Sequence, residues 1–270
     1  MSARLILVGC GNMGHAMLDG WLRSGRLMPG EVFVVEPNEA LRDRAYRLGV
    51  GTAASAGELP ADMDPTLVIL AVKPQVMRTV VPDYARFAAR SAFLSIAAGV
   101  PIATMQDILG SDAAIIRCMP NTPAAIGKGM MVTFANANVN DETKAFVAEL
   151  LESSGAVAEI DSEDLMDAVT AVSGSGPAYI FHFIESLTAA GEAAGLPGET
   201  AKLLAMQTVY GAACLAQESG EQPGRLREHV TSPNGTTAAA LAVLMGEDRL
   251  TKLVTEAVEA ARARSVELGK

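Results

Sequence analysis

The feature that most constrains this fold is a series of short, almost continuously apolar runs in the first 160 residues. They lie at 4–9, 32–36, 67–72, 92–97 and 114–119. Because apolar residues do not alternate with polar ones, both faces of each run are expected to be buried, as in a parallel sheet covered by helices. Segments long enough for crossover helices separate the runs, at 12–25, 38–49 and 74–89. The pattern predicts a doubly wound α/β sheet over residues 1–160, with further strands at 129–135 and 156–160.

Residues 161–270 have a different pattern, in which strand signals stop and helical segments follow one another. The predicted helices cover 163–172, 177–195, 199–219, 236–246 and 248–268. The segment 177–195 has no charged residue in its first two turns. A helix that is apolar on all sides must be buried in a large core or against a partner chain. We therefore expect an all-α domain at 161–270 that forms a homodimer.

Charge and composition exclude several classes of function. The net charge of −10 disfavours binding to nucleic acid or to an anionic membrane. No apolar run has the length of a membrane span, and the first residues lack the long apolar region of a signal peptide. Candidate metal ligands are the three cysteines and three histidines, Cys10, Cys118, Cys214, His15, His182 and His229. Because their spacing matches no metal site or disulfide framework, we predict a cytoplasmic protein without a bound metal.

The stretch LILVGCGNMG places Gly9, Gly11 and Gly14 in G-x-G-x-x-G spacing, directly after a predicted strand and at the start of a predicted helix. In this context the first glycine forms a tight turn, the second lets the backbone approach a pyrophosphate, and the third allows close helix packing. The helix N-terminus faces the anion, and Asn12 and Met13 would contact it through their backbone. The motif predicts a Rossmann-like dinucleotide-binding domain.

An acidic residue, Glu36, ends the next strand and follows Gly14 by 22 residues. A carboxylate at this position accepts hydrogen bonds from a ribose 2′-OH and repels a 2′-phosphate, which favours NAD over NADP. Arg42 and Arg44 follow in the next predicted helix, where they either offset this charge or form a solvated face. The residues therefore favour NADH without excluding NADPH.

Five further motifs occur in order along the chain. They are AVKPQ (71–75), SIAAGV (95–100), MPNTPA (119–124), VSGSGPAY (172–179) and GEQPGRLREHVTSPNGTTAAAL (220–241). Together they resemble the Δ1-pyrroline-5-carboxylate reductases over essentially the whole chain. One departure is Asn234, which stands where that family usually has Gly. Because Asn tolerates left-handed backbone conformations better than other non-glycine residues, we expect the turn to be preserved.

The resemblance implies hydride transfer from NADPH or NADH to the cyclic imine Δ1-pyrroline-5-carboxylate, which yields L-proline. It also implies NADPH as the usual cofactor and homodimers that can assemble into decamers. The expected substrate-binding residues are Ser232, Gly235, Thr236 and Thr237, and Thr237 is the expected catalytic residue. The residues expected to flank the nicotinamide and its ribose are Ala71, Val72, Lys73, Pro74, Ala97, Ala98, Asn121 and Pro123.

The Pro-Asn-Gly turn at 233–235 has a physical interpretation of its own. A turn that enters a helix presents backbone N–H groups and, here, small hydroxyls, which can bind a carboxylate without an arginine. The alternative is that these Ser and Thr residues serve as an ordinary helix cap.

Two rival functions are compatible with the same two-domain organisation. A β-hydroxyacid dehydrogenase of the 6-phosphogluconate type shares this organisation, but it carries a catalytic Lys on the first helix of the tail. The segment PAYIFHFIESL at 177–187 has no Lys, and alcohol oxidation requires a base. A non-catalytic dimer that senses a nucleotide would keep the glycine loop but would have no reason for the loop at 232–237.

Overall fold

The apolar runs of the first half form the strands of one sheet in a computed structural model that describes residues 3–269. The strands in this range are β1 (Leu5–Val8), β2 (Val32–Val35), β3 (Gly51–Ala53), β4 (Leu67–Leu70), β5 (Ala92–Ser95), β6 (Ile115–Met119), β7 (Gly129–Ala135) and β8 (Gly155–Glu159). Their order in the sheet is β3-β2-β1-β4-β5-β6-β7-β8. All neighbours are parallel except β6 and β7. The predicted doubly wound sheet is therefore confirmed, and the strand order reverses between β1 and β4.

The register of β1 shows why these runs are continuously apolar. Leu5 and Leu7 point into one hydrophobic cluster, and Ile6 and Val8 point into a second. Successive side chains of a strand face opposite sides of the sheet, so helices on both sides leave no polar position. The first cluster contains the fully buried Trp21.

Two units divide the chain. One contains the residues up to Ser175 together with those from Ala261 onward, and the other is Gly176–Ala260. The first unit carries α1 (Asn12–Arg23), α2 (Glu39–Tyr46), α3 (Met77–Val80), α4 (Ile102–Leu109), α5 (Asp141–Glu152) and α6 (Met166–Val169). The second unit contains α7 (Gly176–Ala193), α8 (Gly198–Ser219), α9 (Pro223–His229) and α10 (Thr236–Met245). The last helix, α11 (Arg249–Leu268), begins in the second unit and continues past Ala260.

Two predicted helices are interrupted. The crossover at 74–89 consists of a 3₁₀ turn, α3 and a second 3₁₀ stretch, Val81–Phe87, because Pro82 cannot donate the hydrogen bond that would continue the helix. The segment 163–172 passes from a 3₁₀ turn through α6 into a π-helical turn, Thr170–Gly174.

The helical unit Gly176–Ala260 has little core of its own. Throughout this fully described range only Ala201 and Ala205 are buried. Large apolar side chains are exposed instead, among them Phe181 (59%), Leu203 (68%) and Tyr210 (65%). An apolar surface of this extent is typical of an interface with another chain. No helix within residues 3–269 combines the length and the hydropathy that a membrane crossing needs.

Candidate active site

The glycine loop between β1 and α1 has the geometry expected of a dinucleotide site. Gly9 has a φ of +87°, and a Cβ there would lie 2.7 Å from the carbonyl oxygen of Ala71, so any side chain would collide with the end of β4. Gly14 is equally restricted, since its Cβ would lie 2.5 Å from the carbonyl oxygen of Gly9. These two glycines let α1 pack closely on the sheet.

The space in front of α1 is suited to an anion. A Cβ at Gly11 would contact nothing within 4 Å, so this residue faces open space. Gly11 is also the N-cap of α1, and no side chain caps the helix. The N–H groups of the first turn, which includes Asn12 and Met13, therefore point towards a site that a pyrophosphate fits.

Glu36 follows β2 and is 7% exposed. Its two carboxylate oxygens accept different backbone N–H groups. Cys10 N donates to Oε2 at 2.7 Å, and Asn38 N donates to Oε1 at 2.9 Å. Glu36 therefore links the glycine loop to the β2–α2 loop.

The two arginines of α2 contact backbone carbonyls of the same loops. Arg42 Nη1 donates to the carbonyls of Glu36 and Pro37, at 2.9 and 3.1 Å. Arg44 Nη2 donates to the carbonyls of Cys10 and Gly11, at 2.9 and 3.2 Å. These residues are not simply a solvated helix face, because each fixes the backbone of one cofactor loop.

Two titratable groups near the glycine loop are held neutral. Burial raises the pKa of the Cys10 thiol to about 11, although the Arg44 charge acts in the opposite direction. Burial, together with the Arg44 charge, lowers the pKa of His15. Near pH 7 neither group carries a significant charge, so the charge facing the loop comes from Glu36 and Arg44.

A cavity of about 540 Å³ lies at the carboxyl ends of these strands. It brings together six of the predicted cofactor residues, namely Gly9, Gly11, Glu36, Ala71, Val72 and Lys73. Its lining also includes residues that were not predicted, among them Ala54, Ser55, Ala56, Asp83 and Tyr84. Ala54–Ala56 follow β3, whose three residues include no long apolar run, so the sequence offered little signal for them.

The remaining predicted cofactor residues do not line this cavity. Asn12, Met13 and Gly14 lie in the first turn of α1, and the others follow β4, β5 and β6. Pro74 begins the 3₁₀ turn after β4, and Ala97 and Ala98 follow β5. Ala97 is buried, and its N–H donates to the hydroxyl oxygen of Ser95 at 3.2 Å. Asn121 and Pro123 lie at the start of the 3₁₀ turn after β6.

The side chain of Asn121 makes contacts within the first unit. Its Nδ2 donates to the carbonyl and hydroxyl oxygens of Ser173, at 3.2 and 3.3 Å. Its Oδ1 accepts the N–H of Met130 at 2.8 Å. Asn121 thus ties the loop after β6 to β7 and to the π-helical turn.

The loop ahead of α10 contains the predicted substrate residues. Asn234 has a φ of 58°, in the left-handed region that the turn requires. Gly235 N donates to the carbonyl of Ser232 at 3.0 Å, and a Cβ at Gly235 would collide with the Ser232 hydroxyl. Gly235 is the N-cap of α10, and no side chain caps that helix. The alternative of a Ser or Thr helix cap is therefore wrong.

The consequence is an uncapped helix N-terminus with hydroxyls beside it. Thr236 and Thr237 are the first two residues of α10, and Thr237 is half-buried. Ser232 is exposed on the preceding turn. This combination of N–H donors and small hydroxyls suits a carboxylate.

The described residues offer no alternative built around a metal. Within residues 3–269 no group of three His, Cys, Asp or Glu side chains is arranged to hold a metal ion.

Comparison with known proteins agrees with this organisation. Residues 163–268 match the family described as "Pyrroline-5-carboxylate reductase dimerisation", and residues 4–99 match "NADP oxidoreductase coenzyme F420-dependent". A pyrroline-5-carboxylate reductase of Synechocystis sp. is 42% identical over 100% of both chains. The chain belongs to the pyrroline-5-carboxylate reductase family.

Solved structures of this family resemble the chain throughout. A pyrroline-5-carboxylate reductase from Coxiella burnetii aligns over 100% of both chains, with a TM-score of 0.92 and 34% identity. A pyrroline carboxylate reductase from Plasmodium falciparum, whose structure has NADP bound, aligns over 99% of this chain and 98% of its own, with a TM-score of 0.86 and 32% identity. The predicted family, the Rossmann-like domain with its helical tail, and a nicotinamide dinucleotide cofactor are thereby confirmed.

Two features of the helical residues, together with family membership, disfavour the two rival functions. The helix α7 of a hydroxyacid dehydrogenase of the 6-phosphogluconate type would carry a Lys, and Gly176–Ala193 contains none. A nucleotide sensor would not account for the uncapped turn ahead of α10.

Proposed function

We propose that this chain catalyses the reduction of Δ1-pyrroline-5-carboxylate to L-proline with NADPH or NADH, the last step of proline biosynthesis. The loop ahead of α10 is the observation that carries the proposal. There a left-handed Asn234 and an N-cap Gly235 expose helix N–H groups beside small hydroxyls. Such a site binds a carboxylate, which the cyclic imine carries next to its ring nitrogen.

The reaction makes modest demands on side chains. When bound, the reduced nicotinamide would supply a hydride to the imine carbon, C2 of the pyrroline ring, which becomes C5 of proline. The ring nitrogen takes a proton, and the C=N double bond becomes a single bond. The protein has to fix the carboxylate, orient the C=N bond and exclude water. Such a reaction does not require a His, Asp or Glu dedicated to acid–base chemistry.

Each substrate residue has a proposed role. Ser232, Gly235 and Thr236 bind the carboxylate through hydroxyl and N–H groups. The half-buried hydroxyl of Thr237 hydrogen-bonds the imine nitrogen and stabilises its protonated state.

The cofactor residues divide into two groups by the strand that they follow. Those after β1 hold the pyrophosphate by backbone, and they are Gly9, Gly11, Asn12, Met13 and Gly14. Those after β4, β5 and β6 flank the nicotinamide and its ribose, and they are Ala71, Val72, Lys73, Pro74, Ala97, Ala98, Asn121 and Pro123. We assign dinucleotide binding to residues 1–160, and substrate binding and dimerisation to residues 161–270.

The assembly that we propose is a homodimer formed through the helical unit, with decamers of five dimers as a higher state, in the cytoplasm. Its support is the exposed apolar surface of α7 and α8, which includes Phe181 and Leu203. The test is light scattering over a dilution series. A Leu203→Glu variant should dissociate at higher concentration than the unsubstituted chain, and a stable monomer at all concentrations would rule out the dimer.

The test of the activity is loss of reduced-nicotinamide absorbance with Δ1-pyrroline-5-carboxylate. A Thr237→Val variant should lower kcat by about tenfold to a hundredfold, because it removes one hydroxyl at the reacting nitrogen. Thr237→Ser should retain most of the activity. Thr255→Val, which removes a hydroxyl bonded to the Thr251 carbonyl on α11, is the matched control. No oxidation of either cofactor by the unsubstituted chain would overturn the proposed function.

A further inference from the structure

We infer that this chain selects NADH over NADPH, and that the Glu36 carboxylate makes the selection. The inference deepens the proposed function and rests on it, because it concerns the same cofactor site. One structural relative has NADP bound. A preference for NADH would therefore come from side chains particular to this chain.

The position of Glu36 is the first argument. The residue is buried and lines the cavity that Gly9 and Gly11 also line. In a sheet of this topology, the acid that ends the second strand lies beside the adenosine ribose of the dinucleotide. Each oxygen of Glu36 accepts one backbone N–H. A carboxylate oxygen has two lone pairs, so both oxygens can still accept a hydrogen bond from a ribose hydroxyl.

The arginines that could reverse this preference are directed elsewhere. Arg42 and Arg44 donate to backbone carbonyls, and neither guanidinium lines the cavity. An arginine that accommodates a 2′-phosphate must present N–H groups to it inside the cavity, and neither Arg42 nor Arg44 belongs to the lining. In this structure the hydrogen bonds of both arginines instead hold the carboxylate's own loop and the glycine loop in place.

The other polar residues of the cavity supply no cationic side chain where the loops after β2 and β3 form its wall. The charged residues of its described lining are Glu36, Lys73 and Asp83. Lys73 follows β4, which is separated from β2 by β1. Ser55, which follows β3 beside β2, donates its hydroxyl to Glu58 Oε1 at 3.0 Å. Within the described lining, a 2′-phosphate would therefore meet the Glu36 carboxylate and no cationic side chain at this end.

The electrostatic consequence has a definite sign. A phosphate monoester carries between one and two negative charges near neutral pH, and a 2′-OH carries none. Next to a buried carboxylate that extra charge is repelled, whereas the hydroxyl gains a charge-assisted hydrogen bond. Both effects favour NADH.

Equilibrium binding tests the inference without depending on turnover. The dissociation constants of NADH and NADPH would be measured by titration calorimetry for the full chain and three variants. We expect the unsubstituted chain to bind NADH about tenfold more tightly or better. Glu36→Gln should reduce this ratio by about tenfold, and Glu36→Asp should retain it because the charge remains. Glu58→Gln is the matched control, since this carboxylate also accepts a backbone N–H, from Ala54, but does not line the cavity.

The ratio of the two dissociation constants reports only on the group at the ribose 2′ position, because NADH and NADPH are otherwise identical. A variant that merely distorts the loop should weaken the binding of both dinucleotides. Raising the salt concentration should also bring the two constants of the unsubstituted chain closer together. If Glu36→Gln fails to fold, this salt dependence tests whether electrostatic repulsion of the 2′-phosphate sets the ratio of the two dissociation constants.

Three results would overturn the inference. They are equal or tighter binding of NADPH by the unsubstituted chain, an unchanged ratio in Glu36→Gln, and an equal change in Glu58→Gln. If imine reduction then proceeds with NADPH, the proposed function stands and only the selectivity is wrong. If the unsubstituted chain binds neither dinucleotide, the proposed function fails as well.

Discussion

Arg44 Nη2 lies 2.9 Å from the carbonyl oxygen of Cys10, so a side chain of α2 holds the backbone of the glycine loop. The same nitrogen also reaches the carbonyl of Gly11. The two carbonyls belong to the residues that immediately precede α1. Arg44 is thus a positioning residue for the loop that we propose binds the pyrophosphate.

Replacement of Arg44 by Met should weaken NADH and NADPH alike. Hydrogen bonds that involve a charged group contribute about 1.5–3 kcal/mol, so a loss of about tenfold in both affinities is expected. Titration calorimetry with each dinucleotide is the measurement. Arg47→Met, which alters an exposed arginine at the end of the same helix, is the control. A change confined to NADPH would mean that Arg44 contacts the 2′-phosphate instead.

The sequence predicts the central strands well because their physical signal is local. A run such as Leu5–Val8, buried on both faces, has no polar residue, and each of the seven predicted runs overlaps a strand. The strand β3 was missed because it has three residues and pairs only with β2 at the edge of the sheet. Edge positions need no continuous apolar run, so composition does not reveal them.

The site was only partly predictable for a similar reason. The glycine spacing fixes the backbone of residues 9–14, and a backbone site can be inferred from such a local motif. The contact of Arg44 with Cys10 joins residues far apart in the sequence, and an arginine on a polar helix face gives no indication of its partner. Asn121 was assigned to the cofactor by resemblance, whereas its hydrogen bonds to Ser173 and Met130 could only come from the tertiary structure.

Asn121 should contribute to stability as well as to any cofactor contact. Asn121→Ala leaves the Met130 N–H and the Ser173 carbonyl without this partner, which should lower the free energy of unfolding by about 1–3 kcal/mol. Asn121→Asp retains the acceptor for Met130 and should cost less. Urea denaturation measures both, with the exposed neighbour Thr122→Ala as the control. Unchanged stability in Asn121→Ala would show that the side chain acts on the cofactor alone.

The buried thiols should react slowly and in a fixed order. Burial raises the pKa of Cys118 to about 12 and that of Cys10 to about 11. Because the thiolate is the reactive form, alkylation of both should be slow near pH 8 and should accelerate as the pH rises towards these values. Iodoacetamide labelling followed by peptide mass spectrometry should find Cys10 modified before Cys118. The unfolded chain should label both rapidly, and equally rapid labelling of the folded chain would contradict their burial.

Asn234 offers a test of the turn that presents the proposed carboxylate site. Its φ of 58° is accessible to Asn and to Gly but costs other residues about 1–2 kcal/mol. Asn234→Gly, which introduces the residue usual in the family, should leave the KM for Δ1-pyrroline-5-carboxylate within about twofold. Asn234→Ala should raise that KM by about fivefold to tenfold, because the strain displaces Gly235 and the N–H groups that follow it. Steady-state kinetics with saturating cofactor separates the two variants. Since Gly and Ala both remove the Asn side chain, an equal rise in KM would mean that the amide itself binds substrate and that the backbone conformation does not decide affinity.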